Sequence, residues 1–166
     1  MSSPDSVTPC TKYLTFGPWI YMVPQYRPDS VLMLGYAEGT TAGLIRLLYR
    51  DVNITGVDIE PCAPSYGVTP IQADAQEFVK TCGRFDTVIV DMFPKDSFEI
   101  CDFISGQEFA DNLIRIADYI IINTLRNPDL SAYSKLRHIG VNKPSGNANL
   151  IHYYEVNKIP DLHLFK

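Results

Sequence analysis

The chain has 166 residues, 46% of them hydrophobic and 20% charged, which makes one domain with enough apolar material for a core without disulfides or metals. The 14 Lys and Arg against 19 Asp and Glu leave a net charge of −5, which argues against electrostatically driven binding to nucleic acid or an anionic membrane. No apolar run reaches the roughly 20 residues needed to span a bilayer. The Ser- and Pro-rich segment 1–10 lacks the basic and apolar regions of a signal peptide and reads as a flexible tail, so a cytoplasmic protein is expected. Cys10, Cys62, Cys82 and Cys101 are scattered without a Cys-x-x-Cys, and His138, His152 and His163 stand at no ligand spacing from them. They read as reduced thiols with no metal site.

In chain order, segment 11–28 reads as a small N-terminal hairpin or lid around Gly17-Pro18, with aromatic and β-branched residues on both arms. Trp19, Tyr21 and Tyr26 in it either cover a pocket or bury an edge. The main domain, 29–166, then alternates. Val31–Leu34 is wholly apolar, as expected of a strand buried on both faces. Residues 40–50 carry Leu44, Ile45, Leu47 and Leu48 at helical spacing; 53–59 is a second strand and 68–72 a third. Residues 74–82 place Ala75, Phe78, Val79 and Cys82 on one helical face, with Gly83 as the stop. Residues 86–92 form a fourth strand, and a helix capped by Ser105 runs to Ala117. Residues 119–124 make a fifth strand, 129–137 a last helix, and 138–142 and 150–156 a closing pair of strands. The predicted fold is α/β: a doubly wound, mostly parallel sheet with an antiparallel terminal hairpin and the small N-terminal hairpin. Two open edges, that N-terminal hairpin and the last strand, are compatible with a homodimer.

In such sheets ligands bind beyond the carboxyl ends of the strands. Strand one ends in Gly35-Tyr36-Ala37-Glu38-Gly39 and opens directly into a helix; strand two ends at Asp58-Ile59, strand three leads to Asp74-Ala75, and strand four ends at Asp91. Each acid taken singly reads first as a helix cap or a solvated loop carboxylate, Asp74 most of all because it starts a helix. Taken together they converge on one rim, where carboxylates accept from hydroxyls, an amine or a cationic centre. The dinucleotide fingerprint is absent, since Gly35, Gly39 and Gly43 are spaced by four, and Glu38 repels a pyrophosphate. A ligand without phosphate and with a positive centre fits better. Met92 and Phe93, following Asp91, are candidates for an acceptor pocket, whereas Tyr153 and Tyr154 read as packing.

Four segments in register carry a resemblance. VLMLGYAEGTTA, GVDIEP, IQADAQEFVK and RFDTVIVDMFP resemble successive motifs of spermidine synthases and related aminopropyltransferases, and GQEFADNLIRIADYIIIN is similar to their following helix and strand. That branch belongs to the class I S-adenosylmethionine-dependent methyltransferase superfamily. The resemblance implies that Gly35, Tyr36, Ala37, Glu38 and Gly39 form the loop under the ligand, with Glu38 facing its amino end. It also implies that Asp58 and Ile59 hold the ribose side, that Asp74 and Ala75 meet the adenine, and that Asp91 is the catalytic acid that orients and deprotonates the acceptor. The implied cofactor is S-adenosylmethionine or its decarboxylated form, and the partner a small-molecule acceptor, with no nucleic acid and no membrane. The chain departs from the pattern in its acceptor half. Asp91-Met92-Phe93-Pro94 lacks the second catalytic acid, for which Asp96 is misplaced. The polyamine-holding helix before the first strand is absent, and residues 59–68 leave no room for a second helix. The reading is therefore a methyltransferase-like transferase, with aminopropyl transfer or a non-catalytic adenosyl-binding module as alternatives.

Overall fold

The apolar run that opens the main domain becomes the middle of the molecule. In the structure, a computed structural model that describes residues 14, 17–37, 39–61, 66–94, 97, 99–125, 128–144 and 148–156, strand β1 (Ser30–Leu34) has a neighbour on each side. Around it lie β2 (Asn53–Asp58), β3 (Thr69–Gln72), β4 (Phe85–Val90), β5 (Ala117–Leu125), β6 (Arg137–Asn142) and β7 (Asn149–Glu155). They form a seven-stranded sheet in the order β3-β2-β1-β4-β5-β7-β6. Pairing is parallel from β3 to β5, and β7 runs antiparallel to both β5 and β6. The expected doubly wound sheet with a reversed terminal hairpin is present.

Successive side chains of a strand point to opposite faces, so an unbroken apolar run feeds two cores. Leu32, Leu34, Val88, Val90, Ile120 and Ile122 pack with helices α2 (Ala75–Thr81) and α3 (Gln107–Ile116). Val31, Met33, Ile89 and Ile121 pack on the other side with Leu44 and Ile45 of helix α1 (Thr40–Leu48). Among the described residues no helix is long and apolar enough to cross a membrane.

Several local expectations are corrected. The second arm of the N-terminal hairpin is instead a 3₁₀ turn, Trp19–Met22, entered from Pro18 in the helical region and held by Tyr21 N–H to the Pro18 carbonyl. Burial of Met22 and Val23 against the α1 side fixes it there. The arm 12–16 lies outside the described residues, apart from Leu14, as does the tail 1–10. Gly83 does not supply a left-handed stop to α2; Cys82 leaves the helix extended. The terminal carbonyls are met by Arg115 of α3, which donates to Val79 O and Cys82 O. Gly106 rather than Ser105 precedes α3, because Ser105 closes a 3₁₀ turn over Asp102–Ser105.

The predicted last helix shrinks to a 3₁₀ turn, Ser131–Tyr133, opened by Asp129 accepting from Ser131 N–H at 2.9 Å. A tertiary bond decides its fate. Tyr133 is fully buried and its hydroxyl donates to the Ile104 carbonyl at 2.7 Å, so burial pushes its phenol well above the usual range. Tyr133→Phe leaves that carbonyl without its partner and is expected to cost about 1–3 kcal/mol, read from the denaturant midpoint at unchanged slope.

Candidate functional site

The rim is built around the turn from β1 into α1. The β1 ladder runs on past its end, with Gly35 N–H donating to Val57 O and Asp91 N–H to Leu34 O, both at 2.9 Å. Gly35 has φ +85°, and a Cβ there would strike the Asp91 carbonyl oxygen. Only glycine therefore lets the loop lie this close to the end of β4. Ala37 follows at φ +49°, an unfavourable value for a side chain, and Gly39 caps α1 at φ +79°.

Asp58 stabilises this twisted turn. Its Oδ2 accepts from Tyr36 N–H and Ala37 N–H, each at 3.0 Å, and its Oδ1 accepts from Glu60 N–H at 3.0 Å. Backbone N–H groups that would cradle a phosphate in a dinucleotide fold are thus already committed to a carboxylate. Asp74 does cap α2, with Oδ1 accepting from Gln76 N–H at 2.8 Å. It also lines the same cavity as Asp58.

That cavity, of about 450 Å³, brings together Gly35, Ala37, Asp58, Ile59, Asp74, Ala75 and Asp91, closed on its other side by Met92, Phe93, Cys101 and Phe103. Ile59 is 68% exposed, an apolar side chain held at the cavity edge. Tyr36 is drawn away from it: the side chain is buried, with its ring over Gly56 and its hydroxyl above Gly39. Gly39 takes part through the backbone, as the N-cap of α1. Glu38 lies outside the described residues.

Asp91 borders this cavity and a smaller neighbour of about 250 Å³ lined by Trp19, Met33, Tyr36, Ala37, Thr40 and Thr41. The residue is half-buried, yet its carboxyl group is enclosed closely enough for burial to raise its pKa, an effect offset in part by a hydrogen bond. The donor is Asn123 Nδ2, at 2.9 Å from Asp91 Oδ1, and Asn149 Nδ2 in turn donates to Asn123 Oδ1 at 2.8 Å. This asparagine relay from β5 and β7 was missed by the sequence reading, as were Thr41, Cys101 and Phe103. Asn123 was within reach of it, as a polar residue after an apolar strand run.

The N-terminal aromatics divide. Trp19 reaches the site, whereas Tyr26 shares a hydrogen bond with Thr87 and packs its ring 4.5 Å from that of Tyr119. Tyr153 bonds the Tyr21 carbonyl, and Tyr154 stacks on Tyr133. A groove of about 280 Å³ beside Tyr26, Tyr119 and Tyr153 sits toward the opposite end of β5 from Asn123 and has no charged residue in its lining. Among the described residues, Cys82 and Cys101 are free thiols and no group of acids, thiols and imidazoles could hold a metal.

No protein-family model matches the chain, and no curated protein matches it by sequence. Solved structures do. Human methyltransferase-like protein 13 in complex with SAH superposes with a TM-score of 0.63 at 15% identity, covering 99% of this chain and 88% of that one. The N-methyltransferase NodS from Bradyrhizobium japonicum WM9, in complex with S-adenosyl-L-homocysteine, gives 0.65 at 11% identity, covering 92% and 99%. The chain has the class I S-adenosylmethionine-dependent methyltransferase fold. The fibrillarin pre-rRNA processing protein of Methanococcus jannaschii is also similar, with a TM-score of 0.54 at 12% identity over 93% of this chain and 76% of that one. The fold is thus shared by an N-methyltransferase and a pre-rRNA processing protein, and only this chain's own rim bears on its ligand.

Proposed function

We propose that the protein binds an S-adenosyl ligand in the larger cavity and transfers its methyl group to a small-molecule acceptor. The observation that carries this reading is the convergence of Asp58, Asp74 and Asp91 on one cavity with an apolar edge at Ile59. The residues present fit such a ligand. Carboxylates accept ribose hydroxyls and an adenine amine, while Ile59, Ala75 and Phe103 offer apolar surface to the base. Tyr36 and Ala37 N–H, which would face a phosphate in a dinucleotide site, donate instead to Asp58.

Held there, the sulfonium would supply an activated methyl carbon to the acceptor's lone pair and would itself be left as a neutral thioether. Asp91 accepts a hydrogen bond from the nucleophile and takes up its proton, and Asn123 fixes the orientation of that carboxylate. Positioning of the two reactants supplies most of the rate. The likeness to spermidine synthases supports the nucleoside half of the site, and the altered acceptor half favours methyl over aminopropyl transfer. Glu99, Asp102 and Asp129 lie together next to Cys101 and Phe103. With the net charge of −5, they disfavour a polyanionic acceptor such as RNA.

S-adenosylhomocysteine at about a hundredfold excess over its Kd is expected to add about 2.7 kcal/mol of stability, a rise in Tm of roughly 5–10 °C for a chain of this size. Absence of any shift with S-adenosylhomocysteine and with 5′-methylthioadenosine would remove the adenosyl reading. Tight binding without methyl release to any amine or hydroxyl acceptor would mark a binding module instead.

A further inference from the structure

The carboxylate of Asp91 stands at the end of a chain of two amides from distant strands. Asn123 lies near the end of β5 and is 3% exposed. Strand β7 runs antiparallel to β5, with Asn123 opposite Ile151 and Leu125 opposite Asn149. Asn149 is therefore a diagonal neighbour of Asn123 on the same face. It donates from Nδ2 to Asn123 Oδ1 at 2.8 Å, and Asn123 Nδ2 donates to Asp91 Oδ1 at 2.9 Å.

A side-chain amide has one donating end and one accepting end. While Asn149 donates to the oxygen of Asn123, the nitrogen of Asn123 is the end that faces Asp91. A donor at that place favours the ionised carboxylate. Turned round, Asn123 would set an oxygen against Asp91, a contact that only a protonated carboxyl satisfies. Because Asn123 is buried, leaving either end unmatched is costly. The orientation of its amide and the charge on Asp91 are thus coupled.

The other surroundings work against that charge. Burial of the Asp91 carboxyl raises its pKa. Asp58 from the end of β2, Asp74 from the cap of α2 and the Cys101 thiol line the larger cavity with it, and Tyr36 lines the smaller one. Among the described residues, no Lys, Arg or His lines either cavity. The opposing influence is the Asn123 bond, and two amides aligned in one sense reinforce each other's polarity.

We infer that Asn149 is a positioning residue for Asp91: through Asn123 it keeps an amide N–H on the carboxylate and holds that group in its proton-accepting form. This rests on the reading of Asp91 as the base and deepens it. A residue of the reversed terminal hairpin thus bears on the chemistry without touching a reactant.

Carboxyl carbon NMR of the ligand-free full chain across pH tests it, with Asp91→Asn identifying the Asp91 resonance. Asn149→Leu, which removes the donor at similar size, is expected to make Asp91 hold its proton about tenfold more tightly. Asn149→Asp only accepts when ionised and so turns the Asn123 amide round. It is expected to act at least as strongly, and it carries the test if the leucine variant does not fold. In an Asn123→Leu background, Asn149→Leu is expected to leave the Asp91 titration unmoved, because the relay has lost its middle. With an acceptor that the parent turns over, the acid limb of kcat/KM should move to higher pH by the same factor. An unmoved Asp91 titration in the folded variants, or an equal shift with and without Asn123, overturns the relay while the base reading stands. A titration that moves without the acid limb means that the relay acts on a carboxyl that is not the base, and the base reading falls.

Discussion

Asp58→Ala is expected to weaken S-adenosylhomocysteine binding by about 1.5–3 kcal/mol, the range for hydrogen bonds to a charged group. The loss has two sources, and the structure separates them. One is direct, through carboxylate lone pairs facing the nucleoside cavity. The other is the turn itself, since Asp58 is the acceptor for the Tyr36, Ala37 and Glu60 N–H groups. Ala37 holds a left-handed φ that a side chain disfavours, and it stays there because the carboxylate holds its N–H. Asp58→Asn keeps one acceptor oxygen, which can serve the Tyr36 and Ala37 N–H groups, and turns a donor toward the Glu60 N–H alone. It is expected to damage the turn less than alanine does. A folded Asp58→Ala variant that binds S-adenosylhomocysteine as tightly as the parent would sink the nucleotide assignment.

Much of this site was legible because its parts are local. The carboxylates fall at the ends of apolar runs, and a run buried on both faces, such as Val31–Leu34, announces its own strand. Once the order of strands is doubly wound, the ends of β1, β2 and β4 must share a rim. The missed parts are set by contacts distant in sequence. Nothing near residue 133 says that its hydroxyl will find Ile104, and that bond, with β6 starting at Arg137, leaves room for one 3₁₀ turn where the spacing predicted a helix. Gly83 was a reasonable stop for α2 until Arg115 supplied the terminal carbonyls with a guanidinium from another helix. The N-terminal arm showed strand-like composition, yet Pro18 and the burial of Met22 made it a turn. Asn123 and Asn149 matter only through each other and Asp91, a relation that no single segment contains.

The same contrast bears on chemistry. A glycine-bearing turn between strand and helix suggests a phosphate site in the abstract, but here Asp58 occupies the N–H groups that make such a turn attractive to phosphate. One carboxylate at the end of β2 thereby both shapes the loop and takes up two of its N–H groups. Asp91, one strand over, accepts one side-chain bond among the described residues, from Asn123, at its Oδ1.

Asp91→Asn is accordingly expected to affect turnover and stability in opposite directions. Asparagine is nearly isosteric and keeps an oxygen for the Asn123 amide, so fold and most nucleoside affinity should persist. It can neither carry the charge nor take up a proton, and turnover is expected to fall by about 10²–10⁴, the usual range for general acid–base catalysis. Burial raises the Asp91 pKa in the folded protein, with the Asn123 bond opposing. A folded-state carboxyl that holds its proton more tightly than the unfolded chain stabilises the fold fully below the unfolded pKa. That stability is lost as pH rises through the folded value. Above its folded pKa the parent therefore bears a buried charge that the asparagine variant lacks, and there the variant should melt at a higher temperature, the gap closing on acidification. In the parent, kcat/KM reports the free enzyme and should fall on the acid side at a pH above the ordinary carboxylate range; in the variant that limb should vanish from the residual rate. The readouts are S-adenosylhomocysteine release with an acceptor the parent turns over, and melting curves across pH. Full turnover in the folded variant, or survival of the acid limb, would mean that Asp91 is a structural group and that the proton leaves by another route.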